Sequence, residues 1–122
     1  MTDAAPLRIL LVEDQEDLRE TSLQLLDLLG ASAQGVPDAE AAEAMLARER
    51  FDVLITDITL PGRSGIELAA QMAQSQPALK VVFCSGYGAP TDLPPGLRSW
   101  SLPKPYGLPQ LEGLLAELAQ RR

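Results

Sequence analysis

Short apolar runs in this chain of 122 residues are followed directly by polar side chains that can do chemistry. Three carboxylates, one hydroxyl and one ammonium stand at these positions: Glu13, Asp14, Asp57, Ser85 and Lys104. In open parallel sheets, ligands bind beyond the carboxyl ends of the strands. If the apolar runs are parallel strands, these five side chains are therefore expected to meet in one cleft.

Such a cleft would favour phosphoryl chemistry with a metal ion. Three neighbouring carboxylates repel one another unless a cation joins them. Oxygen ligands select a hard ion, and a ligand shell that water must complete favours Mg²⁺ over Ca²⁺. A metal ion, a lysine and a hydroxyl together stabilise a phosphoryl oxygen. Asp57 is then a candidate nucleophile that forms an acyl phosphate.

Each of these residues also has a simpler interpretation when it is taken alone. An acidic residue after a strand often caps the following helix, and a single lysine such as Lys104 is usually a solvated surface residue. Cys84 fits a small buried residue better than a reactive thiol, and Trp100 fits local packing better than a ligand platform. The phosphoryl interpretation depends on several strand ends that carry the required groups together.

The composition excludes several other kinds of site. The chain has no histidine, so it contains no Ser-His-Asp triad, no histidine metal site and no phospho-histidine. The single cysteine cannot form an internal disulfide, which fits a reducing compartment. A net charge of −7 argues against non-specific binding to nucleic acid or anionic membranes. Neither a signal peptide nor a membrane span of roughly 20 apolar residues is expected.

Apolar periodicity predicts the elements that position these groups. Nearly continuous apolar runs predict strands that are covered on both faces, at residues 8–12, 33–36, 51–56, 80–84 and 99–102. The runs at 33–36 and 99–102 are the weaker candidates. Helical spacing and capping residues predict helices over residues 16–29, 39–48, 65–76 and 108–120. This alternation predicts a parallel sheet with right-handed crossovers and helices on both faces. Three prolines and three glycines within residues 85–98 predict a short or irregular fourth crossover.

In order and spacing, these segments resemble the receiver domain of bacterial two-component response regulators. The matching segments are residues 9–14, residues 52–62 with Gly65, Ser85-Gly86, and Lys104-Pro105-Tyr106. The segment that begins at Ser85 and the Lys-Pro-Tyr end look most like the receivers of hybrid histidine kinases. The resemblance implies a CheY-like, flavodoxin-like (βα)5 fold with strand order 2-1-3-4-5. It implies one receiver domain in residues 1–122, with a core at about 7–118 and no output domain.

The resemblance also implies the roles of the phosphoryl-binding residues. Asp57 accepts a phosphoryl group from a phospho-histidine of a sensor or hybrid histidine kinase, or of a histidine phosphotransfer protein. Lys104 pairs with a phosphoryl oxygen, and the Ser85 hydroxyl moves to the phosphoryl group as the switch. The small Gly86 beside Ser85 leaves the nucleophile accessible. The domain is not an enzyme in the usual sense, because it catalyses only its own phosphorylation and slow dephosphorylation.

The implied cofactor is Mg²⁺. Asp14 and Asp57 bind the ion directly, the backbone carbonyl of Thr59 supplies a further ligand, and Glu13 acts through water. The implied setting is the cytoplasm, without direct binding of nucleic acid and without membrane insertion. The oligomeric state stays open.

Two departures from the family pattern concern the output of the signal. The family usually has an aromatic residue three positions before the lysine, where this chain has Ser101. The interval between Ser85 and Lys104 is a few residues shorter than usual, and the deficit falls in the proline-rich stretch. The usual output face, formed by the fourth helix and the fifth strand, is therefore expected to differ.

Three alternatives stay open beside this interpretation. An unphosphorylated pseudo-receiver would act only as a protein interaction module, but the complete set of site residues disfavours it. A phosphatase of the haloacid dehalogenase type requires a second aspartate two positions after the nucleophile, where Thr59 stands. A flavodoxin-like flavin carrier requires a phosphate loop rich in serine and threonine, where Glu13 and Asp14 would repel phosphate.

Overall fold

The computed structural model describes residues 6–60, 62–85 and 99–120. Five strands and four helices alternate along these segments: β1 (Arg8–Val12), α1 (Glu16–Leu28), β2 (Ser32–Val36), α2 (Ala39–Arg48), β3 (Val53–Asp57), α3 (Gly65–Ser75), β4 (Lys80–Ser85), β5 (Ser99–Pro103) and α4 (Leu108–Gln120). Each strand and helix expected within these segments is present, with boundaries shifted by one or two residues at most. The expected irregular crossover falls on residues 86–98, which lie outside the described residues.

The strands form one parallel sheet in the order β2-β1-β3-β4-β5, as the resemblance implies. Val12 pairs with Thr56, and Asp57 pairs with Cys84, so the carboxyl ends of the central strands lie level with one another. The chain runs outward from β1 to β2 and then returns to β3 on the other side of β1. Because β1 leads to β2 on one side and β3 leads to β4 on the other, the loops after β1 and β3 diverge, the position at which open parallel sheets bind ligands.

Helices cover both faces of the sheet, which explains the continuous apolar runs. Successive residues of a strand point to opposite faces. Ile9 and Leu11 of β1 pack in the core cluster that contains α1 and α4 residues, whereas Leu10 and Val12 pack in the cluster that contains α2 and α3 residues. All four of these side chains are buried. In the described segments, no helix is long and apolar enough to cross a membrane.

The helix boundaries follow the capping residues that the sequence indicates. The Asp38 carboxylate accepts a hydrogen bond from the Ala41 backbone amide at 2.8 Å. Ser64 and Glu67 form a reciprocal capping box at the start of α3. Gly30 follows α1 with a φ of 87°, the left-handed conformation that glycine adopts readily. Each cap fixes where the helix begins or ends relative to the adjacent strand.

Candidate functional site

Three carboxylates meet beyond the carboxyl ends of β1 and β3. Glu13, Asp14 and Asp57 each offer an oxygen atom, and these atoms all lie within 4.8 Å of one another. Glu13 and Asp57 are buried, whereas Asp14 is exposed. The N-cap residues of α1 and α3 are Gln15 and Ser64, so Asp14 and Asp57 are not helix caps. The simpler interpretation of these two aspartates is therefore wrong.

Lys104 comes from the end of the edge strand β5 and contacts two of the carboxylates. It directly follows β5, and its Nζ lies 2.7 Å from Asp57 Oδ1 and 3.3 Å from Glu13 Oε1. Burial lowers the pKa of Lys104, but its contacts with Asp57 and Glu13 outweigh burial and raise that pKa overall. The side chain stays charged at neutral pH and is not a purely solvated residue.

Glu13 has a partner on every polar group. Its backbone amide donates to the Val36 carbonyl at 3.0 Å, and its own carbonyl accepts from the Arg19 guanidinium at 2.8 Å. Its Oε2 accepts from the Gln15 amide at 3.1 Å, and its Oε1 faces Lys104. Burial raises the pKa of Glu13, and the nearby Asp57 raises it further. The two carboxylates thus repel each other, and both are buried.

This donor set fits Mg²⁺. The cluster offers carboxylate oxygen atoms, the ligands that hard divalent cations prefer. Exposed Asp14 opens the cluster to solvent, which suits an ion that keeps several waters. A cation at the cluster would also relieve the repulsion between Glu13 and Asp57.

The remaining expected site residues lie around this cluster. Thr59 is exposed in the loop two positions beyond Asp57. Ser85 ends β4 next to Pro103 of β5, one position past the pair that Asp57 forms, whereas Gly86 lies outside the described residues. Ser101, the position at which the resemblance leads us to expect an aromatic residue, is exposed on β5.

Cys84 and Trp100 have the packing roles that the sequence predicts for them. Cys84 is buried, and burial raises the pKa of its thiol to about 12, so the side chain is a protonated apolar residue. Trp100 is half-buried and packs against the core between the sheet, α1 and α4.

Gly65, one of the residues that match the receiver pattern, packs against the backbone of the site, and this contact was not evident from the sequence. A Cβ atom at Gly65 would lie 1.9 Å from the Asp57 carbonyl oxygen and 3.0 Å from Thr56 Oγ1. The Gly65 amide also donates to the Ile58 carbonyl at 2.8 Å. The start of α3 therefore presses directly on the peptide that follows Asp57. The available signal was a glycine as the first residue of a well-capped helix, where alanine is the better helix former.

A second contact missed from sequence ties α1 to the segment after Lys104. The Tyr106 hydroxyl lies 2.8 Å from the Ser22 hydroxyl, and the Ser22 side chain is fully buried on α1. Burial raises the pKa of Tyr106 to about 12, so its hydroxyl stays protonated. Beside this contact, Leu18, Lys104, Pro105 and Tyr106 line a groove of about 310 Å³.

Removal of this hydrogen bond is expected to lower stability. Tyr106→Phe leaves the buried Ser22 hydroxyl without its partner, which costs about 1–2 kcal/mol of unfolding free energy. The double variant Tyr106→Phe with Ser22→Ala should recover most of that loss, because both polar partners are then gone. Urea unfolding of the native chain, the two single variants and the double variant measures the coupling energy between the two hydroxyls. Additive losses would show that the two hydroxyls do not stabilise each other.

Comparison with known proteins places these features in a family context. The chain matches the model of the response regulator receiver domain over residues 9–99. The response regulator receiver protein CpdR of Brucella abortus strain 2308 is 37% identical over 82 residues, which are 67% of this chain and 68% of CpdR. The next two curated relatives are longer proteins, of which the match covers only 17% and 26%.

Solved structures show the same likeness. The CheY-like receiver domain structure from Methylobacillus flagellatus superposes with a TM-score of 0.81 at 29% identity, covering 93% of this chain and 98% of that one. The receiver domain of the hybrid histidine kinase CckA superposes with a TM-score of 0.76 at 28% identity, covering 91% and 97%. The likeness thus includes a hybrid-kinase receiver, as the sequence pattern indicates.

Proposed function

The chain belongs to the response regulator receiver domain family, whose members are phosphoacceptors in two-component signal transduction, and we propose that its acceptor is Asp57. The observation that carries this proposal is the position of the Asp57 carboxylate. It ends β3 within the acidic cluster, with Lys104 Nζ at 2.7 Å. A carboxylate oxygen of Asp57 attacks the phosphorus atom, and the P–N bond of the donor breaks with its electron pair going to the imidazole nitrogen. The 122-residue chain has no histidine, so the donor imidazole lies outside it.

Lys104 and Ser85 assist this reaction in the proposal. The Lys104 ammonium already faces Asp57, so it can exchange part of that contact for a phosphoryl oxygen. The positive charge offsets the negative charge that the phosphoryl group brings. Ser85 follows the β4 residue that pairs with Asp57, and its hydroxyl is proposed to bind the phosphoryl group and act as the switch.

We propose Mg²⁺ as the cofactor of this site. Asp14 and Asp57 would bind it directly, Glu13 through water, and Thr59 through its backbone carbonyl. Bound there, the ion would neutralise negative charge on the phosphoryl oxygens. The support is the convergence of three carboxylates at a partly solvated edge of the sheet.

The proposed partner is a sensor or hybrid histidine kinase, or a histidine phosphotransfer protein. The similarity to a hybrid-kinase receiver supports a donor of this class. The groove beside Lys104 offers apolar surface next to the acceptor, where a donor could pack. We propose that residues 1–122 act as one receiver domain in the cytoplasm, with no catalysis beyond their own phosphorylation and dephosphorylation.

Thermal unfolding with Mg²⁺ tests the metal site. Millimolar Mg²⁺ should raise the melting temperature of the native chain, because a ligand that binds only the folded state stabilises it by mass action. At ten times the dissociation constant, the expected gain is about 1.4 kcal/mol. Asp14→Ala should abolish this gain, while Asp17→Ala, which removes an exposed carboxylate of α1, should keep it. A native chain whose melting ignores Mg²⁺ would contradict the proposed site.

A further inference from the structure

Arg19 on α1 holds the backbone between the two acidic residues that follow β1. Its Nη1 atom donates to the Glu13 carbonyl at 2.8 Å. That carbonyl belongs to the peptide that links Glu13 to Asp14, so the hydrogen bond restrains the orientation of both residues. The other contacts of Glu13 act on its amide and its carboxylate. The Arg19 contact instead acts on the Glu13 carbonyl, which belongs to the peptide that leads into Asp14.

Gly35 on β2 provides the space that this arginine occupies. A Cβ atom at Gly35 would lie 2.9 Å from Arg19 Cγ and 3.0 Å from Arg19 Cδ. Leu23 Cδ1 would lie equally close, at 2.9 Å. Glycine weakens a strand interior, and it often marks a place where another group approaches the backbone closely. The stem of Arg19 is that group here, together with Leu23.

We propose that Arg19, seated over Gly35, is a positioning residue that holds Glu13 and Asp14 in the arrangement required for Mg²⁺. The inference rests on the proposed function, because it concerns the same metal site. Residues that orient metal ligands through hydrogen bonds typically change metal affinity 10- to 100-fold when they are removed. Arg19 touches neither the ion nor the phosphoryl group in this proposal and acts only through the Glu13–Asp14 peptide.

The positive charge of Arg19 allows its positioning role to be distinguished from a simple electrostatic effect on Mg²⁺ affinity. A guanidinium close to the cluster repels a divalent cation, so its removal should tighten Mg²⁺ binding if charge alone matters. If Arg19 positions the acidic residues, its removal should weaken Mg²⁺ binding. The two explanations therefore predict changes of opposite sign.

Calorimetric titration of the full chain with Mg²⁺ measures this sign. Arg19→Met keeps an apolar stem over Gly35 and removes the guanidinium, and it should weaken Mg²⁺ binding roughly 10-fold. Arg48→Met removes the same charge from an exposed position at the end of α2, and it should leave the affinity unchanged within about twofold. Circular dichroism melts define a temperature at which all variants are folded.

Gly35→Ala tests the second half of the inference. The added Cβ should displace the Arg19 stem and weaken Mg²⁺ binding in the native background. In an Arg19→Ala background there is no Cγ to displace, so the same substitution should change affinity much less. Equal effects in both backgrounds would show that Gly35 acts through Leu23 instead, and would overturn this part of the proposal.

Phosphorylation by acetyl phosphate supplies a readout that a general loss of stability would not give. For Arg19→Met, the Mg²⁺ concentration at half-maximal rate should rise roughly 10-fold, while the rate at saturating Mg²⁺ should equal that of the native chain. If native chain and Arg19→Met bind Mg²⁺ equally well, or the variant binds more tightly, the positioning role is overturned and the proposed function stands. A native chain that binds no Mg²⁺ would overturn the metal site and this inference together.

Discussion

Asp57→Asn should abolish phosphorylation of the chain. After incubation with acetyl phosphate and Mg²⁺, the native chain should gain the mass of one phosphoryl group and the variant none. The asparagine amide has nearly the shape of the carboxylate, but it carries no negative charge and its nitrogen lone pair is delocalised into the carbonyl, so it is a poor nucleophile and no acyl phosphate forms. Intact-mass spectrometry measures both proteins directly.

The same variant should keep the fold. The neutral amide no longer repels Glu13, whose pKa is raised by burial and by Asp57 in the native chain. The variant also loses the ion pair with Lys104, which keeps its second partner Glu13 at 3.3 Å. These effects have opposite signs and Lys104 is partly exposed, so the unfolding free energy should stay within about 1 kcal/mol of the native value. Urea unfolding checks this.

Asp17→Asn is the matched control, because it changes an exposed aspartate on α1 that lies outside the acidic cluster. It should be phosphorylated like the native chain. Modification that persists in Asp57→Asn would show that the acceptor is another residue. A native chain that never gains the phosphoryl mass would favour the alternative of an unphosphorylated interaction module.

The strands and the acidic cluster were predictable because their signals are local. A strand packed between two layers of helices buries both faces, so the sequences of β1 and β3 are nearly continuous apolar runs. The carboxylates come directly after those runs, and parallel strands bring their carboxyl ends to one edge. The order of the strands came from the family resemblance, since apolar periodicity does not say which strands are neighbours.

Contacts between distant elements were not predictable in the same way. Lys104 was expected in the same cleft as the carboxylates, but its specific pairing with Glu13 depends on the register of β5 against β4, in which Leu102 lies opposite Cys84. The Ser22 hydroxyl is buried on the apolar side of α1, four residues before Leu26. A polar residue within an apolar stripe signals a buried hydrogen bond, but it does not identify Tyr106 as the partner.

Gly65→Ala should destabilise the chain strongly, although helix propensity alone predicts the reverse. Within a helix, alanine is favoured over glycine by about 1 kcal/mol. At Gly65, however, the new Cβ would lie 1.9 Å from the Asp57 carbonyl oxygen, a backbone atom that cannot rotate away. Either the start of α3 or the loop after β3 must move, and such overpacking costs about 1–3 kcal/mol or more. The clash is with a backbone atom, so the upper end of this cost is expected, and after the gain in helix propensity the net loss of unfolding free energy should be about 2 kcal/mol.

Gly113→Ala is the matched control for this result. Gly113 lies within α4, and a Cβ atom there would meet nothing within 4 Å. The same substitution should therefore stabilise the chain by about 0.5–1 kcal/mol, through helix propensity and a less flexible unfolded chain. Because Gly65 contacts the peptide after Asp57, its replacement should also slow phosphorylation, whereas Gly113→Ala should leave the rate unchanged. If both variants were stabilised alike, the start of α3 would not pack tightly against the Asp57 carbonyl, and glycine at position 65 would need another explanation.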